Sequence, residues 1–394
     1  MPDPTSFPFS SHYTSLRKKM DRLAKDHMFS PEELAAASPQ QILSRMLSTK
    51  SYISHDSAED NICEQRSIEI GKGQCGTIFA LSGTDTVAKI PHSAEKADQL
   101  WSDFQMHYLV LEAMNEVDTK LKMDINIPEL HSWVCPATKP FWTHYGLRFP
   151  QDIDAKNFAL VSNRVFPVPQ PVRGALLDVL CPPAIQKQKQ AFLAKPENKN
   201  CLIRLYLGRR ETTKAKQNIR NIRLQNFPLH VNEMEDLGLD TASFAQVLAQ
   251  TLAILHWKAG VDGNDVEFIL GSSPESTRLP SRAEVMSGDK DTFGACFRFD
   301  FSRRSISLWL IDFNQCSTFE DNEAGLKKIV DAFFWNDPYY PRPNSTNDRD
   351  QTLWAAFSQR YLEVSRTFTD STTPGAFIAQ IEERDRKGTV SGLF

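Results

Sequence analysis

The chain has 394 residues, 41% apolar and 10% aromatic, enough to bury a large core in two domains or in one two-lobed domain. Its 45 Lys+Arg against 49 Asp+Glu give a net charge of −4, so whole-chain charge points to neither nucleic acid nor a membrane, and fibrous and disordered classes are excluded. The seven cysteines are scattered, odd in number and never in CxxC spacing, so no disulfide framework, zinc site or other metal site is expected.

Residues 1–60 are rich in Ser, Pro and Ala, with helical patches at SLRKKMDRLAKDHM and SPEELAAASPQQILSRML; they read as an N-terminal extension packing on the remainder. The start lacks a continuous apolar h-region and no apolar run approaches a bilayer span, which predicts a soluble, unexported, cytoplasmic chain without a membrane partner. From Ile68 to Ile90, IEIGKGQCGTIFALSGTDTVAKI reads as strand, glycine loop, strand, turn and strand. An amphipathic helix follows from about Glu95 to Val117, with Leu100, Phe104, Tyr108, Leu111 and Met114 at three-to-four spacing.

Further short strands are predicted at HSWVCP, FALVSNRVF and CLIRLYLG. Between Lys187 and Arg223 eleven basic residues face only two acidic ones, a local surplus in an acidic chain. Thr241–Lys258 predicts a helix with Phe244, Val247, Leu248, Leu252 and Leu255 on one face. After the loop HWKAGVDGNDVEFIL come a strand pair, FRFDF and SISLWLIDF, and a largely helical C-terminus from Asn322.

Four features carry chemistry. The glycines Gly71, Gly73 and Gly76 lie between two strands, which argues against a dinucleotide-binding βαβ unit and for a loop folded over phosphates. Lys89 follows thirteen residues later in Val-Ala-Lys-Ile, a strand whose lysine can point beneath that loop. Asp262 is followed at +5 by Glu267 and then Phe-Ile-Leu, the spacing of a kinase catalytic loop. Asp312-Phe313-Asn314 stands where the metal-binding DFG stands.

In this order, from about residue 65 to 360, the chain resembles the protein-kinase-like superfold: α+β and two-lobed, with a β-rich N-lobe at 61–165, a mainly helical C-lobe at 166–394 and a basic insertion around 185–225. It departs from a kinase at Gly260-Val261 (for His-Arg), Glu267 (for Asn) and Asn314 (for Gly), and no APE-like triplet is found. The expected acidic partner of Lys89 falls near His107 or Glu112. Asp262, Asp265, Glu267 and Asp312 would crowd negative charge, which calls for Mg²⁺, a shared proton or a guanidinium held bidentately; Asp265 capping a turn and Glu267 facing solvent is the plainer alternative.

The strings LHWKAGVDGNDVEFILG, LWLIDFNQC, CLIRLYLGRR, NFPLHVNEMEDLGLD and FFWNDPYYPRP resemble a fungal family labelled hypothetical or "zinc finger protein", to which the arginine-containing cyclodipeptide synthases belong. The resemblance implies an aminoacyltransferase of secondary metabolism that draws on arginyl-tRNA and a second aminoacyl-tRNA, requires no cofactor and makes a cyclo(Arg-Xaa) diketopiperazine by aminolysis. No stable protein partner is expected. Asp262 would then be the base, Asp265 or Glu267 the arginine clamp, and Lys89 an oxyanion or phosphate donor. Gly71, Gly73, Gly76, Asn163 and Asn314 would line the terminal-adenosine cleft, and Cys75 is the thiol to test as a nucleophile, against burial as a packing residue. Arg204, Arg209, Arg210, Lys214, Lys216, Arg220 and Arg223 would meet the acceptor-stem backbone, unless the segment is simply a solvated insertion. Two other functions stay open: an ATP- and Mg-dependent small-molecule phosphotransferase, and a non-catalytic pseudokinase-like module.

Overall fold

A computed structural model of the chain describes residues 31–48, 52–54, 66–82, 84–122, 124–151, 153, 157–211, 222–275, 282–289 and 300–391. The first described elements are helices α1 (Pro31–Ala36) and α2 (Pro39–Met46) and the strand β1 (Tyr52–Ser54). Ser38 and Gln41 form a reciprocal capping box that starts α2. The buried face of α2, with Leu43 and Met46, packs on the helix Gln170–Leu180 of the C-lobe.

The N-lobe is built on β2 (Ile68–Lys72), β3 (Gly76–Ala80), β4 (Thr86–Pro91), helix α3 (Ala97–Glu116), β5 (Leu130–Val134) and β6 (Ala159–Asn163). The strands make one antiparallel sheet in the order β2-β3-β4-β6-β5. A Cβ on Gly76 would lie 2.4 Å from the Ile90 carbonyl oxygen, so the close approach of β3 and β4 already demands glycine there. The buried face of α3 is Leu100, Asp103, His107, Val110 and Met114. It is rotated from the expected apolar stripe because Phe104 joins Trp101 and Trp133 at the helix edge, leaving two polar residues to face inward.

In the C-lobe, helix α4 (Gln170–Leu180) leads through short helical turns to β7 (Ile203–Tyr206), β8 (Phe227–His230) and α5 (Thr241–Trp257). Strands β9 (Glu267–Glu275) and β10 (Asp300–Ile311) follow, then helices α6 (Glu323–Trp335), α7 (Asp348–Ser365) and α8 (Thr373–Ser391). Asp240 caps α5 through Ser243 N, and α5 is buried nearly all round against α7, as its continuous apolar content requires. Of the expected FRFDF strand, residues 297–299 lie outside the described residues; its end is continuous with SISLWLI in one strand, Asp300–Ile311, whose partner is β9 and not a separate FRFDF strand. The second sheet runs β1-β10-β9-β7-β8. Its register sets Ile311 opposite Glu267 and Arg204 opposite Ile269, which brings three distant stretches of sequence to one point. Among the described residues no helix is long and apolar enough to cross a membrane.

Two buried histidines are held neutral. His256 Nε2–H donates to the Asp262 carbonyl at 3.3 Å while its Nδ1 accepts from the Tyr361 hydroxyl at 2.8 Å, and burial lowers its pKa from 6.5 to about 3. His107 donates to the Pro128 carbonyl at 2.8 Å, and burial lowers it to about 4. Both folded values lie below the unfolded one, so their contribution is fully present above pH 6.5 and is lost as pH falls towards 4 and then 3. The thermal unfolding midpoint is expected to drop steadily below pH 6.5, and His256→Gln to flatten that profile; an unchanged slope in the variant would refute the assignment.

Candidate active site

Lys89, on β4, enters the space between the lobes and donates to Asp103 Oδ2 at 2.7 Å and to Asp312 Oδ1 at 3.0 Å. Burial opposes the ammonium, but the two carboxylates hold its pKa well above the ordinary lysine value. The helical partner is therefore Asp103, not His107 or Glu112. Asp103 Oδ1 also accepts from Phe313 N at 3.2 Å, and the buried Phe313 ring lies 4.7 Å from His107. Asp312 adopts φ +64°, a left-handed conformation that non-glycine residues adopt at a cost and that recurs at functional turns. A lysine from the small sheet is thus clamped between an acid of the flanking helix and an acid that follows a C-lobe strand. The fold is protein-kinase-like.

The cleft has a volume of about 610 Å³. Gly71, Lys72 and Gly73 cover it, Val87, Leu160, Leu202 and Ile311 form apolar walls, and Asn163 lies at the back. Gly73 N–H donates to the Gly76 carbonyl at 2.9 Å, and His92 Nε2–H donates to the Gly73 carbonyl at 2.9 Å, which braces the loop from behind. Gly76 itself does not line the cleft. Cys75 is fully buried beside Leu100 and Leu160, and burial pushes its thiol up, which suits packing and not nucleophilic attack. Asn314 lies buried behind the loop and donates to Cys75 Sγ at 3.7 Å; it joins the two lobes and is not on the cleft wall.

Of the four expected carboxylates, Asp265, Glu267 and Asp312 lie close enough to feel one another's charge, and Asp262 stands apart. Asp262 is 2% exposed. Its Oδ1 accepts from Asn264 N and Ser317 N, each at 3.0 Å, its Oδ2 accepts from Ser317 Oγ at 2.8 Å, and Lys328 Nζ is 3.6 Å away. A carboxylate so engaged holds the loop to the Val261–Thr318 bridge and has no geometry for a general base. Asp265, at φ +60°, is the outward-facing acid of this loop. Its Oδ1 accepts from Trp335 Nε1 at 3.3 Å and its Oδ2 from Gln315 Nε2, while Gln315 also donates to Gln74 Oε1 at 3.1 Å. Asp265 therefore sits under the tip of the glycine loop. Burial, then the charge of Asp312, raises its pKa above the ordinary carboxylate value. Glu267 lies on the cleft floor, ion-paired with Arg204; burial pushes its carboxyl up and Arg204 pulls it back.

Part of the basic segment is neutralised by the fold, with Lys189 on Asp178, Arg204 on Glu267 and Arg210 on Glu235 and Asp350, while Lys187, Lys195 and Arg223 are exposed. Ile203, Leu205 and Leu207 are core residues of the C-lobe and Ile203–Tyr206 is a sheet strand, while residues 212–221 of the expected insertion lie outside the described residues. Arg204 turns into the cleft, and Arg210 binds both Glu235 and Asp350. Arg209 stands 3.3 Å from Asp337, and Arg223 is exposed at the cleft rim. Lys214, Lys216 and Arg220 lie outside the described residues.

A kinase-like fold implies metal ions held by two residues, one at the Asn position of the catalytic loop and one at the first position of the DFG-like turn. The residues here do not fit such a pair. Glu267 is matched by a guanidinium, and one Asp312 oxygen is taken by Lys89. Among the described residues no cluster of three His, Cys, Asp or Glu could hold one.

The family described as "DUF3669: Zinc finger protein" matches residues 308–373. That stretch holds one cysteine, the buried Cys316, and no histidine, a donor set unlike a tetrahedral zinc site. No curated protein matches the chain in sequence. A solved structure titled "WaaP in complex with acyl carrier protein", of kinase-like fold, is similar over 82% of this chain and 88% of that chain, at 13% identity and a TM-score of 0.32.

The expected aminoacyltransferase is corrected. The case against aminoacyl transfer lies in the cleft itself. Glu267, an expected arginine clamp, already holds Arg204; Asp262, the expected base, is saturated. Arg210, expected on an acceptor stem, is neutralised within the fold, and Arg204 lines the cleft between the lobes. Sequence reasoning missed Asp103, Gln74 and Gln315. Asp103 was signalled only by its place four residues before His107 on one helix face.

Proposed function

We propose that the chain is a nucleotide-dependent phosphotransferase acting on a small molecule, with ATP as the donor. The observation that carries this reading is Lys89 clamped between Asp103 and Asp312 beneath a glycine loop, at the inner end of a cleft of about 610 Å³. The apolar walls suit a base, the Ser162–Val165 edge suits its polar rim, and Gly71–Gly73 with Lys89 suit the phosphates.

In the proposed step an acceptor hydroxyl oxygen bonds to the γ-phosphorus and the bond to the β,γ-bridging oxygen breaks. ADP leaves with that electron pair, and the hydroxyl proton passes to Asp265. This acid has a raised pKa and lies under the loop tip, and a base near operating pH is the more effective. Calorimetric titration with ATP and ADP, followed by ³¹P NMR of ATP with mixed small hydroxylated acceptors, is expected to show saturable binding and acceptor-dependent ADP formation. Absence of nucleotide binding would refute the reading. Binding with no turnover would instead favour a non-catalytic module, the reading that Glu267 held by Arg204 supports.

A further inference from the structure

We propose that Arg204 takes the place of a metal ion in this cleft, so that nucleotide phosphates are held by a protein-borne cation and binding requires no divalent metal. The inference rests on the nucleotide reading above and adds what neutralises the phosphates.

Arg204 lies on β7 opposite Ile269, and Glu267 is two residues along β9. Side chains at i and i+2 share a face of a sheet, so the guanidinium reaches diagonally across to the carboxylate. Both residues line the same cavity as Lys89 and Asp312. Glu267 occupies the position where a kinase carries its metal-binding Asn, and Arg204 covers it.

Seating a divalent cation against Glu267 would require breaking a largely buried ion pair and placing the metal beside a guanidinium of like charge. Both steps are unfavourable. An arriving phosphate meets the opposite situation. A guanidinium has five N–H donors in a planar fork and stays charged at every accessible pH, so it can keep Glu267 and still engage an anionic oxygen. The Arg204 side chain lines the cleft, keeps about a quarter of its surface open and gives Glu267 a bond from Nη2, so its fork has donors beyond the Glu267 bond. With Lys89 near Asp312, the cleft then presents two fixed cations along the phosphate end.

A purely structural pair tying β7 to β9 would share this geometry, and Glu267→Gln separates the two. If Arg204 serves the ligand, removing its competing anion strengthens nucleotide binding; if the pair only holds the strands, the variant loses stability and gains no affinity. The test is calorimetric titration of the full chain with ATP, in Mg²⁺ and in EDTA, with thermal unfolding of each variant recorded alongside.

Wild-type affinity is expected to change by no more than about threefold on chelation. Arg204→Ala is expected to lose about tenfold or more in EDTA, the scale of one charge-assisted hydrogen bond. Arg204→Lys, which keeps a charge and guards against misfolding, is expected to lose less. Glu267→Gln is expected to gain severalfold in EDTA. Binding that vanishes in EDTA and is indifferent to Arg204→Lys and Glu267→Gln overturns this inference while the nucleotide reading stands. No binding by the wild type in either buffer overturns both.

Discussion

Lys89→Met is expected to abolish nucleotide binding and to cost about 3–5 kcal/mol of stability, the range for removing one partner of a buried ion pair. The substitution keeps most of the apolar stem and removes only the ammonium. Asp103, 3% exposed, and Asp312 are then left facing each other without a cation. Asp103 can relieve this by taking up a proton: burial already holds its pKa above the ordinary carboxylate value, and losing Lys89 raises it further. Stability from such a group is present below the unfolded pKa and is lost as pH rises through the folded one. The deficit of Lys89→Met relative to wild type is therefore expected to be larger at pH 8 than at pH 5, measured by chemical denaturation.

A companion variant, Lys89→Met with Asp103→Leu, removes the stranded charge and is expected to recover much of the stability without recovering ATP binding. That separation matters, because the loss of function is then not a loss of fold. ATP binding by Lys89→Met at wild-type affinity would sink the proposed donor site.

Asp265→Asn is expected to lower turnover by about 10²–10⁴-fold, the usual contribution of a positioned general base, and to leave ATP binding within a few-fold of wild type. The amide keeps the shape: its oxygen can still accept from Trp335, and its –NH₂ can donate to Gln315 once that side-chain amide turns its oxygen inward, so the fold should persist. The acid limb of the wild-type rate profile should lie above the ordinary carboxylate range, because burial and Asp312 raise the Asp265 pKa, and that limb should vanish in the variant.

Asp262→Ala is the contrasting case. It leaves Asn264 N–H, Ser317 N–H and the Ser317 hydroxyl without their acceptor, at about 1–3 kcal/mol for each buried group stranded. Its expected effect is on unfolding, with activity following stability. Full activity in Asp265→Asn would reassign the proton acceptor.

Local features of the sequence were legible because they depend on local physics. The glycine-broken strands 68–91, the buried helix Thr241–Trp257 and the short strands near 130, 160 and 203 follow from periodicity and turn residues, and the described structure places elements at each. The order glycine loop, Lys89, Asp262-to-Glu267 spacing and Asp312 pointed to the two-lobed fold. The identity of the lysine's partner was not legible: Asp103, His107 and Glu112 all lie on one helix, and the aromatic packing at Trp101, Phe104 and Trp133 sets the rotation that turns Asp103 inward.

The carboxylates of HWKAGVDGNDVEFIL show the same division. Spacing located the loop, but three acids within six residues share no periodicity that reveals which faces the cleft. The positive φ at Asp265 and the bridge between Val261 and Thr318 turn Asp262 inward and Asp265 outward, and neither conformation leaves a mark on composition. Charge was misleading for a related reason. The eleven basic residues between Lys187 and Arg223 read as a cationic face, yet Arg210 meets Asp350, 140 positions away, and Arg204 meets Glu267, 63 positions away. The sequence by itself determined the kinase-like order of elements and the lysine at its centre. Only the tertiary structure decided which charges cancel, because ion pairing depends on distances of a few ångströms between residues that the chain keeps far apart.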